Sequence, residues 1–313
     1  MIVVQALTSP RVLRALLPPA SFAILLLAIF YVQPRAMSYF GLNLMLQYTV
    51  PIALATIAQM FIITVNDLDL SIGSFVGLTA CIGATLLNDT PLIGGLALLA
   101  CIAAYAALGA LIHWRNLPSI VVTLGMSFVW LGAAILILPT PGGTAPSWVK
   151  AIMGLNVPYV PFPIVATLLI GICVHLVLMR SSYGAVLRGV GGNPRAIKRA
   201  GWSLLKAKMV MFGAAGFFGV LSGLSLIGLT SAADAHIADR YTLYAIAGVI
   251  LGGGEFVGGR ISPIGAIIGA LTLALTGSFL TFLQISPDWQ IGAQGGILIL
   301  VLALRALINR RDA

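Results

Sequence analysis

Residues 42–87 read LNLMLQYTVPIALATIAQMFIITV, then NDLD, then LSIGSFVGLTACIGATLL. The two apolar runs, 42–65 and 70–87, contain no Asp, Glu, Lys or Arg, and only Asn66, Asp67, Leu68 and Asp69 stand between them. A hydrocarbon core about 30 Å thick is crossed by roughly 20 apolar residues wound as a helix. Both runs approach or exceed that length. Neither alternates apolar with polar residues, so each reads as a helix rather than a barrel strand. The four-residue joint leaves no room for a soluble domain. Apolar helices that cross back and forth, joined by short polar turns, are what this stretch predicts.

Outward from the pair, the pattern repeats. Ten candidate spans are expected: 12–32, 42–65, 70–87, 92–112, 120–138, 161–179, 209–229, 241–253, 264–283 and 290–307. The eighth is too short to cross unless 255–258 continues it, so a broken or tilted helix is expected there. No small-residue cleavage pattern follows the first run, so it is read as a retained span. The longest outside loop, 139–160, opens with Pro, Thr and Gly and reads as turns. The longest inside loop is 180–208. No linker or low-complexity tract divides the chain. The expectation is an all-α polytopic integral membrane protein, one transmembrane domain over 1–313.

Composition agrees. The chain is 60% hydrophobic and 8% charged, with mean hydropathy +1.07, whereas an ordinary soluble domain carries about 25% charged residues. The net charge of +9 does not read as a nucleic-acid patch, because no aromatic residues interleave with the basic ones. It reads as orientation. With the N-terminus inside, inside segments hold 14 Lys and Arg and outside segments hold Arg35, Lys150 and Arg240, which accounts for all 17. That asymmetry predicts an even number of spans with both termini cytoplasmic. Cys81, Cys101 and Cys173 lie inside apolar runs without metal-ligand spacing and are expected to be small buried hydrophobes.

Several chemistries are missing. No Gly-x-x-x-x-Gly-Lys-Ser/Thr loop occurs, and the nearest look-alike, 253–260, lacks the lysine and the hydroxyl that hold phosphates and magnesium. The chain is not expected to hydrolyse ATP. His113, His175 and His236 share neither metal spacing nor a nearby acid–base partner. No catalytic or metal-binding residue and no bound cofactor is assigned.

Three stretches carry information. In the joint, Asp67, Asp69 and Ser71 place carboxylates and a hydroxyl at membrane depth, where they are costly unless they line water or find partners. They are read as capping the next helix, as lining a translocation path, or as both. On the inside, Gly192, Asn193, Pro194, Arg195, Ala196 and Gly201 give a helix of about two turns. Asn193 suits the N-cap, Pro194 the first position and Gly201 the C′ position. It serves either as a basic loop at anionic lipid or as a docking helix for a cytoplasmic partner. Glycines from Gly248 to Gly269 include the Gly265/Gly269 pair, which permits close helix packing. Glu255, within this cluster, is placed at the inner mouth of the path or at the partner interface.

Together these stretches resemble the permease family of bacterial ATP-binding cassette (ABC) importers for ribose, xylose and related sugars. The family's Asp-Leu-Ser-x-Gly appears as Asp69-Leu70-Ser71-Ile72-Gly73. Its cytoplasmic Gly-Gly-Asn-x-x-Ala motif appears as Gly191-Gly192-Asn193-Pro194-Arg195-Ala196, ending at Gly201. Its Ile-Gly-Gly segment corresponds to Ile250-Leu251-Gly252-Gly253. The resemblance implies two permease copies or paralogues in the bacterial inner membrane, a cytoplasmic ATP-binding subunit docked at the Asn193 helix, and a periplasmic solute-binding protein delivering sugar to 139–160 and 232–241. ATP would be bound by the partner alone. The family commonly has Gly-Gly-Ile where this chain has Asn66-Asp67-Leu68. That departure bears on solute identity and on whether the permease pairs with itself. The competing classes are an ion-coupled secondary transporter, which would use Asp67 and Asp69 as an ionisable relay, and an intramembrane enzyme, for which no nucleophile–base pair is present.

Overall fold

A computed structural model describes residues 10–256 and 258–286, with isolated positions between 289 and 299. Most of the tenth expected span, 290–307, and the arginines after it lie outside the described residues. The helices are α1 Pro10–Val32, α2 Tyr39–Leu46, α3 Thr49–Thr64, α4 Ile72–Ala84, α5 Leu86–Asp89, α6 Pro91–Arg115 and α7 Ser119–Ile137, followed by α8 Ser147–Met153, α9 Phe162–His175, α10 Ser182–Gly192, α11 Pro194–Arg199, α12 Leu204–Thr230, α13 Tyr241–Leu251 and α14 Pro263–Phe282. A 3-10 turn covers Pro34–Met37, and α9 continues into a π-helical turn at Leu176–Arg180. Among the described residues no strand forms, only an isolated antiparallel bridge between Gly142 and Ala233.

Among the described residues, six segments are long and apolar enough to cross a membrane: Ile72–Asp89, Pro91–Arg115, Ser119–Ile137, Phe162–Arg180, Leu204–Thr230 and Pro263–Phe282. The expected second span is two helices, α2 and α3, bent by 41°. Pro51 explains the bend. It has no N–H to donate to the carbonyl four residues back and its ring crowds that carbonyl, so helical bonding fails around Gln47 and Tyr48. The expected eighth span is α13, 11 residues long, about half the hydrocarbon core. Glu255, Phe256 and Gly258 do not extend it. The chain turns at Gly252 and Gly253, the latter at φ +94, a conformation glycine adopts without steric cost. The 139–160 loop begins as turns but also holds α8. Cys81 and Cys101 are buried as expected, while Cys173 is exposed.

α3 is the centre of the bundle. All 16 of its residues are buried, and α12, α13, α14 and α4 surround it. The outer helices bury only one stripe. In α6 this is Leu98, Cys101, Tyr105, Leu108 and Ile112, a helical spacing, and in α7 it is Ser119, Thr123, Trp130 and Ala134. Their remaining apolar side chains form the faces suited to lipid. Backbone approach in the core depends on glycine. A Cβ on Gly223 of α12 would lie 2.1 Å from the Thr79 hydroxyl, and one on Gly269 of α14 would lie 2.1 Å from the Gly248 carbonyl. The Gly265/Gly269 pair therefore packs within the chain, against Gly248 and Gly252 of α13. Gly269→Ala is expected to push α13 and α14 apart at a cost of about 1–3 kcal/mol, seen as a lowered Tm of the detergent-purified protein. An unchanged Tm would refute the close approach.

Candidate functional site

α12 is 27 residues long, about 40 Å, and its two ends mark two faces. At its start, the Lys208 ammonium lies 2.7 Å from the Asp67 carboxylate, and α11 lies just upstream. At its end, the Ala145 N–H donates to the Ser231 carbonyl at 3.0 Å, and the Thr144 N–H to the Ala84 carbonyl at 2.8 Å. Arg35 and Arg240, both expected outside, line one cavity on this second face. Arg115 ends α6, and Arg180 ends the π-helical turn that follows α9.

The 66–71 joint is non-helical backbone whose polar groups find partners inside the protein. The Leu68 N–H donates to the Ser119 hydroxyl and the Leu70 N–H to that of Thr123, each at 3.1 Å. Asp69 is fully buried. One carboxylate oxygen accepts from the Ser71 N–H and hydroxyl, both at 2.7 Å, and the other from the Tyr105 hydroxyl at 2.5 Å. The Gln59 amide, oriented to suit its neighbours, donates to the Asp69 carbonyl at 3.1 Å and accepts from its N–H at 3.2 Å. Phe75 and Trp130 pack on the Tyr105 ring, with centroids at 4.3 and 6.0 Å. Burying a carboxyl without such partners would cost several kcal/mol. The network ties α3, α4 and α6 together.

Asp67 is ion-paired beside the first face. Glu255 is there too, its carboxylate 3.4 Å from the Arg260 guanidinium. The four residues expected along the path are therefore not brought together: Asp67 and Glu255 lie on the α11 face, and Asp69 and Ser71 lie in the core. None of them lines the larger cavity.

α11 forms as its caps predict, six residues long. The Asn193 side chain accepts from the Ala196 N–H at 3.0 Å, Pro194 occupies the first turn, and Gly201 follows the helix at φ +84. Gly192, Asn193, Pro194, Arg195, Ala196 and Gly201 are all exposed. Ile197 is the inward-facing residue and packs on Gly189. A short rigid helix thus stands on the surface with Arg195, Lys198 and Arg199 presented outward. Beside it, a cleft of about 490 Å³ is lined by Arg188, Gly192, Gly258 and Arg260, among others.

The opposite face opens into a cavity of about 1250 Å³ between α2, the end of α12, α13 and α14. Tyr48, Tyr241, Tyr244, Gln47 and Ser278 supply aromatic faces, an amide and hydroxyls, with His236, Asp239 and Arg240 from the α12–α13 loop. His236 and Asp239 are 3.0 Å apart, so this histidine does have an acidic neighbour, contrary to the expectation from sequence. Sequence reasoning did not single out the tyrosines. The available signal was the position of Tyr241 and Tyr244 at the start of an apolar run, one helical turn apart.

An all-helical bundle with membrane-length apolar helices, a polar cavity on one face and an exposed capped helix on the other defines a multi-pass membrane transport protein. Residues 41–302 match the family described as branched-chain amino acid transport system / permease component, and the chain belongs to that family. It is a transport permease component rather than an enzyme. It is similar to the D-allose transport system permease protein of Escherichia coli (strain K12), 25% identical over 80% of this chain and 79% of the relative. It is also similar to the galactose/methyl galactoside import permease protein of Haemophilus influenzae, 25% identical over 85% of each. The ribose import permease protein of E. coli (strain K12) is 26% identical over 92% of this chain and 93% of the relative. No solved structure matches the chain significantly.

Tyr105→Phe removes one hydroxyl and leaves a buried Asp69 oxygen without its donor. The expected loss is about 1–3 kcal/mol of stability, read as a lower Tm in detergent. No change in Tm would remove the network from the fold's supports.

Proposed function

We propose that this chain, with a second permease copy or paralogue, forms the pathway of an ABC importer that carries a monosaccharide or similar polar solute across the bacterial inner membrane. The cavity carries the reading. Its tyrosine faces suit the apolar faces of a sugar ring, and its amide and hydroxyls suit the ring hydroxyls. The relatives named above, each named for transport or import of a sugar, support the same solute class. We place the cavity on the periplasmic side, where a solute-binding protein would load it, and α11 on the cytoplasmic side, against an ATP-binding subunit that hydrolyses ATP. This arrangement uses ten spans with both termini cytoplasmic. Asp67 and Glu255 then flank the inner end of the path, and Asp69 and Ser71 hold the bundle around it. An ion-coupled carrier is not favoured: Asp69 is bonded inside the core and Asp67 is paired with Lys208, so neither is disposed as a relay.

The test is a complex reconstituted in lipid from this chain, the ATP-binding subunit and the binding protein encoded with it. Ribose-, allose- or galactose-loaded binding protein is expected to stimulate ATP hydrolysis. The triple variant Arg195→Ala, Lys198→Ala, Arg199→Ala is expected to lose that stimulation. Uptake driven by an ion gradient, with no ATPase bound, would replace the proposal with the secondary-transporter reading. Tyr48→Ala, which removes an aromatic wall of the cavity, is expected to lower solute uptake about tenfold, equivalent to about 1.4 kcal/mol. Undiminished uptake would take Tyr48 off the path.

A further inference from the structure

Two consecutive residues after α3 hold the chain on either side of α11. Asn66 sits at φ +61, a left-handed conformation that glycine and, less often, asparagine adopt after a helix. Its amide donates to the Gly191 carbonyl at 2.7 Å and accepts from the Gly258 N–H at 3.1 Å. Gly191 lies two residues before Asn193, the cap of α11. Asp67 pairs with Lys208, in the helix that follows α11. The upstream grip is reinforced by backbone contact: a Cβ on Gly191 would lie 2.1 Å from the Thr64 carbonyl and 3.0 Å from Gly259. No side chain fits between the end of α3 and the segment entering α11.

The other end of α3 reaches the cavity. Tyr48, its N-cap, and Ile52, in its first turn, both line it. Between the two ends runs a helix with no exposed residue, about 24 Å long, and a closely packed interior transmits displacement rather than absorbing it. We infer that Asn66 and Asp67 are positioning residues that couple movement of α11 through α3 to the cavity wall at Tyr48 and Ile52. The inference rests on the importer reading above. It also accounts for the departure Asn66-Asp67-Leu68: the polar pair acts on the coupling joint instead of on the solute.

The test uses the permease–ATPase complex in lipid nanodiscs, with Gln47→Cys in the cavity as reporter. The rate at which a charged maleimide labels this cysteine is measured with and without ATP plus vanadate. Asn66→Gly keeps the backbone conformation, which glycine accepts freely, and deletes only the amide. Lys208→Gln removes the ion pair. In each variant the ATPase is expected to co-purify and ATP hydrolysis to continue, while the nucleotide-dependent change in labelling falls about fivefold or more. An undiminished change in both variants overturns the inference and leaves the importer reading intact. Loss of ATPase binding in Asn66→Gly also overturns it, because it would place Asn66 in the docking surface itself. If Lys208→Gln fails to fold, Asn66→Gly decides alone. Failure of the unmodified complex to bind ATPase at all defeats the importer reading, and this inference with it.

Discussion

A helix with no exposed face must be enclosed on every side, and α3 imposes that requirement on the whole chain. All of its residues are buried, so α4, α12, α13 and α14 have to close around it. In lipid, apolar contact gives no advantage over contact with acyl chains, so association rests on close packing and on internal hydrogen bonds. The structure uses both. Gly223 and Gly248 allow backbones to approach, and the Ser222 hydroxyl donates to the Pro51 carbonyl at 2.7 Å, tying α12 directly to α3. Thr56 and Thr64 return their hydroxyls to their own helix, at 2.8 and 2.7 Å.

The helical architecture was legible because long apolar runs have few alternatives in a bilayer. The bend in the second run was legible in principle at Pro51, but run length alone hid it. α13 was rightly singled out as short, from the length of its apolar run. The caps of α11 were readable because Asn193, Pro194 and Gly201 act within one turn of where they stand. The roles of Asp67 and Asp69 were not readable. Their partners, Lys208 and Tyr105, are 141 and 36 residues away in sequence, and a buried, bonded carboxylate has the same local sequence as one facing water. The cavity was the least visible feature. Its wall comes from α2, α13 and α14, which meet only after folding.

The two faces therefore differ in kind. On the α11 face, charge is exposed on a short rigid element, and the joints behind it are filled by side-chain amide, ion pair and backbone contact. On the cavity face, neighbouring elements leave space, lined by aromatic, hydroxyl and amide groups with His236, Asp239, Arg240 and Arg35 among them. α3 touches both faces and is surrounded between them. That arrangement lets one surface receive a partner and the other hold a solute without any of the same atoms serving both.

The enclosure of α3 also has a history in time. Its last residue, Thr64, precedes the first residue of α12, Leu204, by 140 positions. At roughly 5–20 residues per second, the side of α3 that α12 covers has no protein neighbour there for about 7–28 s after it is made. During that interval lipid, or the insertion machinery, is what it touches. Asp69 follows Gln59 within about a second or two at the same rate, so that contact can form early, whereas Asp67 waits for Lys208 in α12.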